Sequence, residues 1–111
     1  MLAMRPRAVA HSIESSILGM RMVRFIGTTG ATEGSNVDFA HGIDNIAKIL
    51  GWKTMVRLNP TELITENERN TPDREFHAQV NTDTDFRINL AAVNSADILS
   101  KPFEVLIFYI E

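Results

Sequence analysis

Apolar and polar residues alternate along much of this chain, and the alternation predicts strands. In 36–40, Val37 and Phe39 fall opposite Asn36 and Asp38. In 76–80 and 86–90, Phe76, Ala78, Val80, Phe86, Ile88 and Leu90 fall on one side, with His77, Gln79, Arg87 and Asn89 on the other. In 52–58, Trp52, Thr54, Val56 and Leu58 oppose Lys53, Met55 and Arg57. A period of two residues is the signature of a strand with one face buried. A further strand is expected over 22–26, and a run of eight residues rich in β-branched and aromatic side chains predicts another over 103–110. That last run differs in kind. From Val105 onward, Val105, Ile107 and Tyr109 lie on one side and Leu106, Phe108 and Ile110 on the other. Apolar residues on both faces predict a central strand, or one whose second face meets another subunit.

The segments between these runs read as turns. Pro102 marks where the last strand begins, since proline cannot donate within a sheet. The stretch 27–34, GTTGATEG, lacks the lysine and following helix of a phosphate-binding loop, so it reads as a glycine-bearing turn. The strand 36–40 is expected to pair with 22–26 as a hairpin. Asp44 is placed to cap a single helical turn over 45–49. The stretch 59–75 is the longest without a strand pattern, and it carries many charges. Connections of that length in a small domain are commonly functional or mobile. Residues 81–85 and 94–97 have turn chemistry. In 1–20, Val9, Ile13 and Ile17 recur at i, i+4 and i+8, which fits either a short helix ending at Gly19 or a loose tail. The sum is an all-β fold: one antiparallel β-sandwich of about six strands over 21–111, preceded by a tail or short stalk helix over 1–20.

Composition narrows the chemistry. The chain has 111 residues, 11 basic and 14 acidic, for a net charge of −3. Phosphate binding wants a basic stripe, so nucleic acid is not expected as a partner. There is no cysteine, which excludes disulfides, thiol catalysis and Cys-ligated zinc. No apolar run reaches the ~20 residues of a membrane-spanning helix, so membrane insertion is not expected. No cofactor motif is present. No catalytic motif is present either, and the carboxylates of 62–75 lie in a polar loop, where raising a pKa is difficult; the chain is expected not to be an enzyme.

Several stretches, in order, resemble one family. They are GTTGATEG at 27–34, FAHGI at 39–43 with AKI at 47–49, FRINL at 86–90, NSADILSKP at 94–102, and the closing strand with Tyr109, Ile110 and Glu111. Together they resemble the C-terminal tip domains of phage tail fibres and tail-fibre-like proteins, across residues 22–111. Ile110 departs from the acidic pair that usually follows the final tyrosine. The resemblance implies a homotrimeric β-sandwich knob in a virion, assembled in the host cytoplasm. It implies adhesion to host cell-surface polysaccharide or protein, and contact with other tail or virion proteins. A structural virion protein, such as a capsid, head-fibre or neck decoration, is the alternative. Under the trimeric reading, Leu106, Phe108 and Ile110 form the seam, with Ile13 and Ile17 as the end of a three-stranded stalk.

Loops on a rigid sandwich are the usual place for recognition. Within 59–75, Glu66, Arg69, Asn70 and Arg74 offer hydrogen bonds to sugar hydroxyls or a protein surface, and Trp52 offers a ring to stack. Trp52 also fits as partly buried core. His41, between Asp38 and Asp44, is a weak candidate metal ligand; ordering its own turn is the simpler role, because no second histidine lies at ligand spacing.

Overall fold

The period-two segments build two antiparallel sheets laid face to face. The computed structural model describes residues 9–14, 19–66 and 71–110 of the chain. The strands are β1 Val9–Glu14, β2 Met20–Thr28, β3 Asn36–Ala40, β4 Ile49–Asn59, β5 Glu62–Thr65, β6 Phe76–Val80, β7 Asp85–Leu90 and β8 Pro102–Ile110. One sheet has five strands in the order β1-β2-β8-β4-β5, and the other has three in the order β3-β7-β6. The fold is all-β, and β8 is a central strand as its sequence predicts.

Four sequence expectations need correction. Residues 9–14 form strand β1, paired with β2 from Val9 opposite Ile26 to Glu14 opposite Arg21, where a helix was one expectation. Ile17 lies outside the described residues. The charged stretch after β4 contains β5, which doubles back on β4. The strands therefore number eight among the described residues, not six. Finally, β3 does not pair with β2. It crosses to the second sheet and pairs with β7, with Phe39 opposite Phe86. Alternation tells which face of a strand is buried; it does not say which strand lies beside it. The helical turn is present as a 3-10 turn at Ile46–Lys48, capped by the Asn45 side chain rather than Asp44.

Phe39 is where the two sheets meet. Its ring centroid lies 4.8 Å from that of Phe25 on β2, 5.5 Å from Phe86 on β7 and 5.9 Å from Phe103 on β8. Around it Val56, Phe76, Val105, Ile107 and Ile98 are fully buried. Each strand thus gives its apolar alternate residues to one layer, and water is excluded between the sheets. On the outer edge of β6 one backbone N–H is met by a side chain from the flank of the other sheet. The Glu66 carboxylate accepts the Ala78 backbone N–H at 3.0 Å and the buried Thr54 hydroxyl at 2.8 Å. It ties the flank of one sheet to the edge of the other.

Candidate functional site: the open face of the five-stranded sheet

The residues of β2, β4 and β8 that point away from the core form a second apolar surface. Register sets its rows. Met20 lies beside Ile110, and Met22 beside Phe108. Leu106 lies between Arg24 and Lys53, and Glu104 between Ile26 and Met55. Leu63 of β5 lies opposite Arg57. Among the described residues no third layer packs over these rows. Met20, Ile110 and Leu63 remain 38%, 39% and 48% exposed, and Met22, Ile26, Met55, Leu106 and Phe108 are half-buried. One ion pair crosses the surface, from Arg24 Nε to the Glu104 carboxylate. Toward the β5 side, Arg24, Ile26, Met55, Arg57, Leu63 and Glu104 line a shallow depression of about 120 Å³.

Leu106, Phe108 and Ile110 therefore all lie on this open face and not in the sandwich core. Ile13 lies in β1, its backbone opposite Met22. Sequence reasoning missed that Met22, Ile26, Met55 and Leu63 share the surface. The signal was available in β2, where residues 20–26 are apolar on both sides of the strand except at Arg21 and Arg24.

The other candidates are spread over the molecule. Arg69 and Asn70 lie outside the described residues. Glu66 is held by Thr54 and Ala78, as above. Arg74 is mostly buried, with Nη1 3.3 Å from Glu62 and Nε 3.8 Å from Asp97. Trp52 is 37% exposed and sets its ring edge-on against Phe86 at 5.4 Å. That anchors it at the margin of the core. Trp52 pairs with Ile107 in the half of the sandwich where β7 begins, whereas Arg74 lies at the opposite end beside Asp97. The structure does not bring these two together.

His41 is 2% exposed, and its Nδ1 accepts the Ile43 N–H at 3.0 Å. Its backbone N–H donates to Thr84 at 3.0 Å. It orders the turn after β3. Among the described residues, no three of His, Cys, Asp and Glu come together as metal ligands.

The end of the sandwich holding Arg74 is woven shut by three loops. Thr29 donates its hydroxyl to the Ile98 carbonyl at 2.6 Å and accepts the Lys101 N–H at 2.8 Å. One oxygen of Glu33 accepts the backbone N–H groups of Asn94 and Ser95, at 3.0 and 2.9 Å. Asn94 accepts the Asp73 N–H at 2.7 Å and donates to Glu75 at 3.2 Å. Gly30 is needed here for space, because a Cβ would fall 2.1 Å from the Ser35 hydroxyl. Thus the 27–34 and 94–102 stretches, far apart in sequence, form one hydrogen-bonded plug. Nearby, the Asn59 amide and then the Arg74 guanidinium hold the Glu62 carboxyl below its ordinary value. On the outer face of the smaller sheet, hydrogen bonds to Asp38 push Arg87 further up, keeping it firmly charged.

Among the described residues no helix is long and apolar enough to cross a membrane. Compared with known proteins, the chain matches no family model, no curated protein and no solved structure.

Proposed function

We propose that this chain is a non-catalytic adhesion module, the tip domain of a phage-like tail fibre, which self-associates as a homotrimer and binds polysaccharide or protein on a host cell surface. One observation carries the reading: the half-exposed apolar face of Met22, Ile26, Leu106 and Phe108 on the larger sheet. Large contiguous apolar surface on a soluble domain marks an interaction site. Copies of the same chain are the simplest cover, because the apolar rows run along three adjacent strands and the ion pair across them, Arg24 with Glu104, is already satisfied within the chain. The ordered motifs of 27–34, 39–43 and 94–102 supply the fibre-tip half of the reading, by resemblance alone.

Light scattering on purified protein tests the assembly. A trimer at micromolar concentration is expected, and Phe108→Asp is expected to give a folded monomer. A wild-type monomer at that concentration overturns the self-association. Labelled protein applied to candidate host cells tests the adhesion. If it binds no cells but co-purifies with particle shells, it is a structural virion protein instead.

A further inference from the structure

At the end of the sandwich opposite the woven loops, the turn after β3 and the last residues of β8 enclose a shallow cleft of about 360 Å³. Gly42, Ile43, Asp44, Lys48, Tyr109 and Ile110 line it. We infer that this cleft is a binding site for a neutral pyranose sugar unit. The inference rests on the adhesion reading above and places its recognition site away from the 59–75 loop.

The size falls within the few hundred Å³ typical of small-ligand sites. The chemistry of the lining selects the class. Lys48 Nζ lies 3.3 Å from Asp44 Oδ1, so the cleft offers an ammonium donor and a carboxylate acceptor side by side. Among the described lining residues their charges cancel, which leaves no excess to attract an anion or a cation. Among the described residues the Tyr109 hydroxyl forms no hydrogen bond, and it can both donate and accept. Sugar hydroxyls do both as well, so adjacent hydroxyls can bridge a carboxylate and an ammonium. Tyr109 adds apolar surface for the C–H face of a ring.

The wall is built to hold its shape. Ile43 is buried, and its N–H is fixed by the His41 ring. His41 is pinned in turn to Thr84. Gly42 makes the turn at φ 76°, a left-handed conformation natural to glycine. Asn45 caps the 3-10 turn that carries Lys48. Asp44 is 81% exposed, so it can be removed without disturbing the core. A rigid wall with polar groups at its rim binds without the cost of ordering a loop.

Amide-resolved NMR titration of the full chain tests this. The neutral probes are methyl α-glucopyranoside, methyl α-galactopyranoside and N-acetylglucosamine; the anionic probes are N-acetylneuraminic acid and inorganic phosphate. At least one neutral sugar is expected to shift the Gly42, Asp44 and Lys48 amides saturably, and the anions are not. Asp44→Ala and Lys48→Ala are each expected to weaken that binding tenfold or more with an unchanged melting temperature, and Tyr109→Phe several-fold. The inference is overturned if no neutral sugar moves these amides at tens of millimolar, if phosphate or the sialic acid binds better, or if a protein carrying both Asp44→Ala and Lys48→Ala binds sugar as well as wild type. Cell binding separates the two readings. Adhesion that survives in a protein with no sugar response sinks the cleft and leaves the adhesion module standing. A sugar response in a protein that adheres to no cell does the reverse.

Discussion

The two sheets turn very different outer faces to their surroundings. On the smaller sheet, outward positions form polar rows by register: Asn36, Asn89 and His77, then Asp38, Arg87 and Gln79. These groups satisfy one another. Arg87 grips both oxygens of Asp38 at 2.7 and 3.0 Å, and Asn89 donates to Gln79 at 3.3 Å. On the larger sheet the corresponding rows are methionine, isoleucine, leucine and phenylalanine, broken by Arg24, Glu104 and Lys53. One sheet is finished toward water and the other is not. Both share one core, so stability of the fold and coverage of the open face are separate quantities, and substitutions should separate them.

The largest separation is expected between Phe39→Ala and Phe108→Ser. Phe39 contacts three phenylalanines across both sheets, so its loss should cost about 3–5 kcal/mol in urea unfolding. Phe108 is of the same type but lies on the open face, half-buried. Its replacement should cost the isolated fold about 1 kcal/mol or less, in keeping with surface positions, while abolishing assembly by light scattering. Equal losses of fold stability from the two would mean that the outer face belongs to the core after all.

A middle effect is expected at the flank. Glu66→Ala leaves the Ala78 N–H and the Thr54 hydroxyl without their acceptor, and both lie in partly or wholly buried surroundings. The cost should be about 1–3 kcal/mol by urea unfolding. It should fall on the fold and not on assembly, because neither partner lies on the open face. If Glu66→Ala instead impairs cell binding with stability intact, Glu66 is a contact residue as its loop position first suggested.

A smaller effect should follow pH. The Glu62 carboxyl is held low by Asn59 and Arg74, so its pairing favours the folded state most fully above the ordinary carboxylate value of 4.5. That contribution is lost as pH falls through the lowered folded value. Glu62 is solvent-exposed, so the effect is modest. Glu62→Gln should flatten the acid limb of melting temperature against pH without changing the response of the open face.

The sequence made six of these strands legible, because Phe76, Ala78 and Val80, or Phe86, Ile88 and Leu90, repeat every second residue. It also made the doubled apolarity of β8 legible, and with it the need for something on both sides. It misread β1 for a definite reason. Val9 and Ile13 are four apart, and a spacing of four places residues on one side of a strand as well as one side of a helix. It missed β5 because four residues with only Leu63 and Ile64 apolar give no period to count. The path of β3 into the second sheet was not legible, since Val37 and Phe39 fit either partner equally. For the candidate sites, residue type suggested Arg74 and Glu66 as free recognition groups. Their partners, Asp97 and Ala78, come from turns and edges that only the folded chain brings near.

The smallest expected effect tests the woven end, which belongs to neither face. Ser100 sits there at φ 52° and Asp73 at φ 70°, both left-handed. Their backbones are held in place, Ser100 N–H on the Gly30 carbonyl at 2.9 Å and Asp73 C=O by the Asp97 N–H at 2.9 Å. A non-glycine residue in this region costs about 1–2 kcal/mol, and glycine returns about 0.5–1 kcal/mol of that as chain entropy. Ser100→Gly should therefore stabilise the fold by about 0.5 kcal/mol, read as a rise in melting temperature. Asp73→Gly should gain less, because aspartate tolerates the left-handed region better than serine. Neither change should alter assembly. A gain at Asp73 exceeding that at Ser100 would show that the plug, and not local backbone preference, sets the strain at this end.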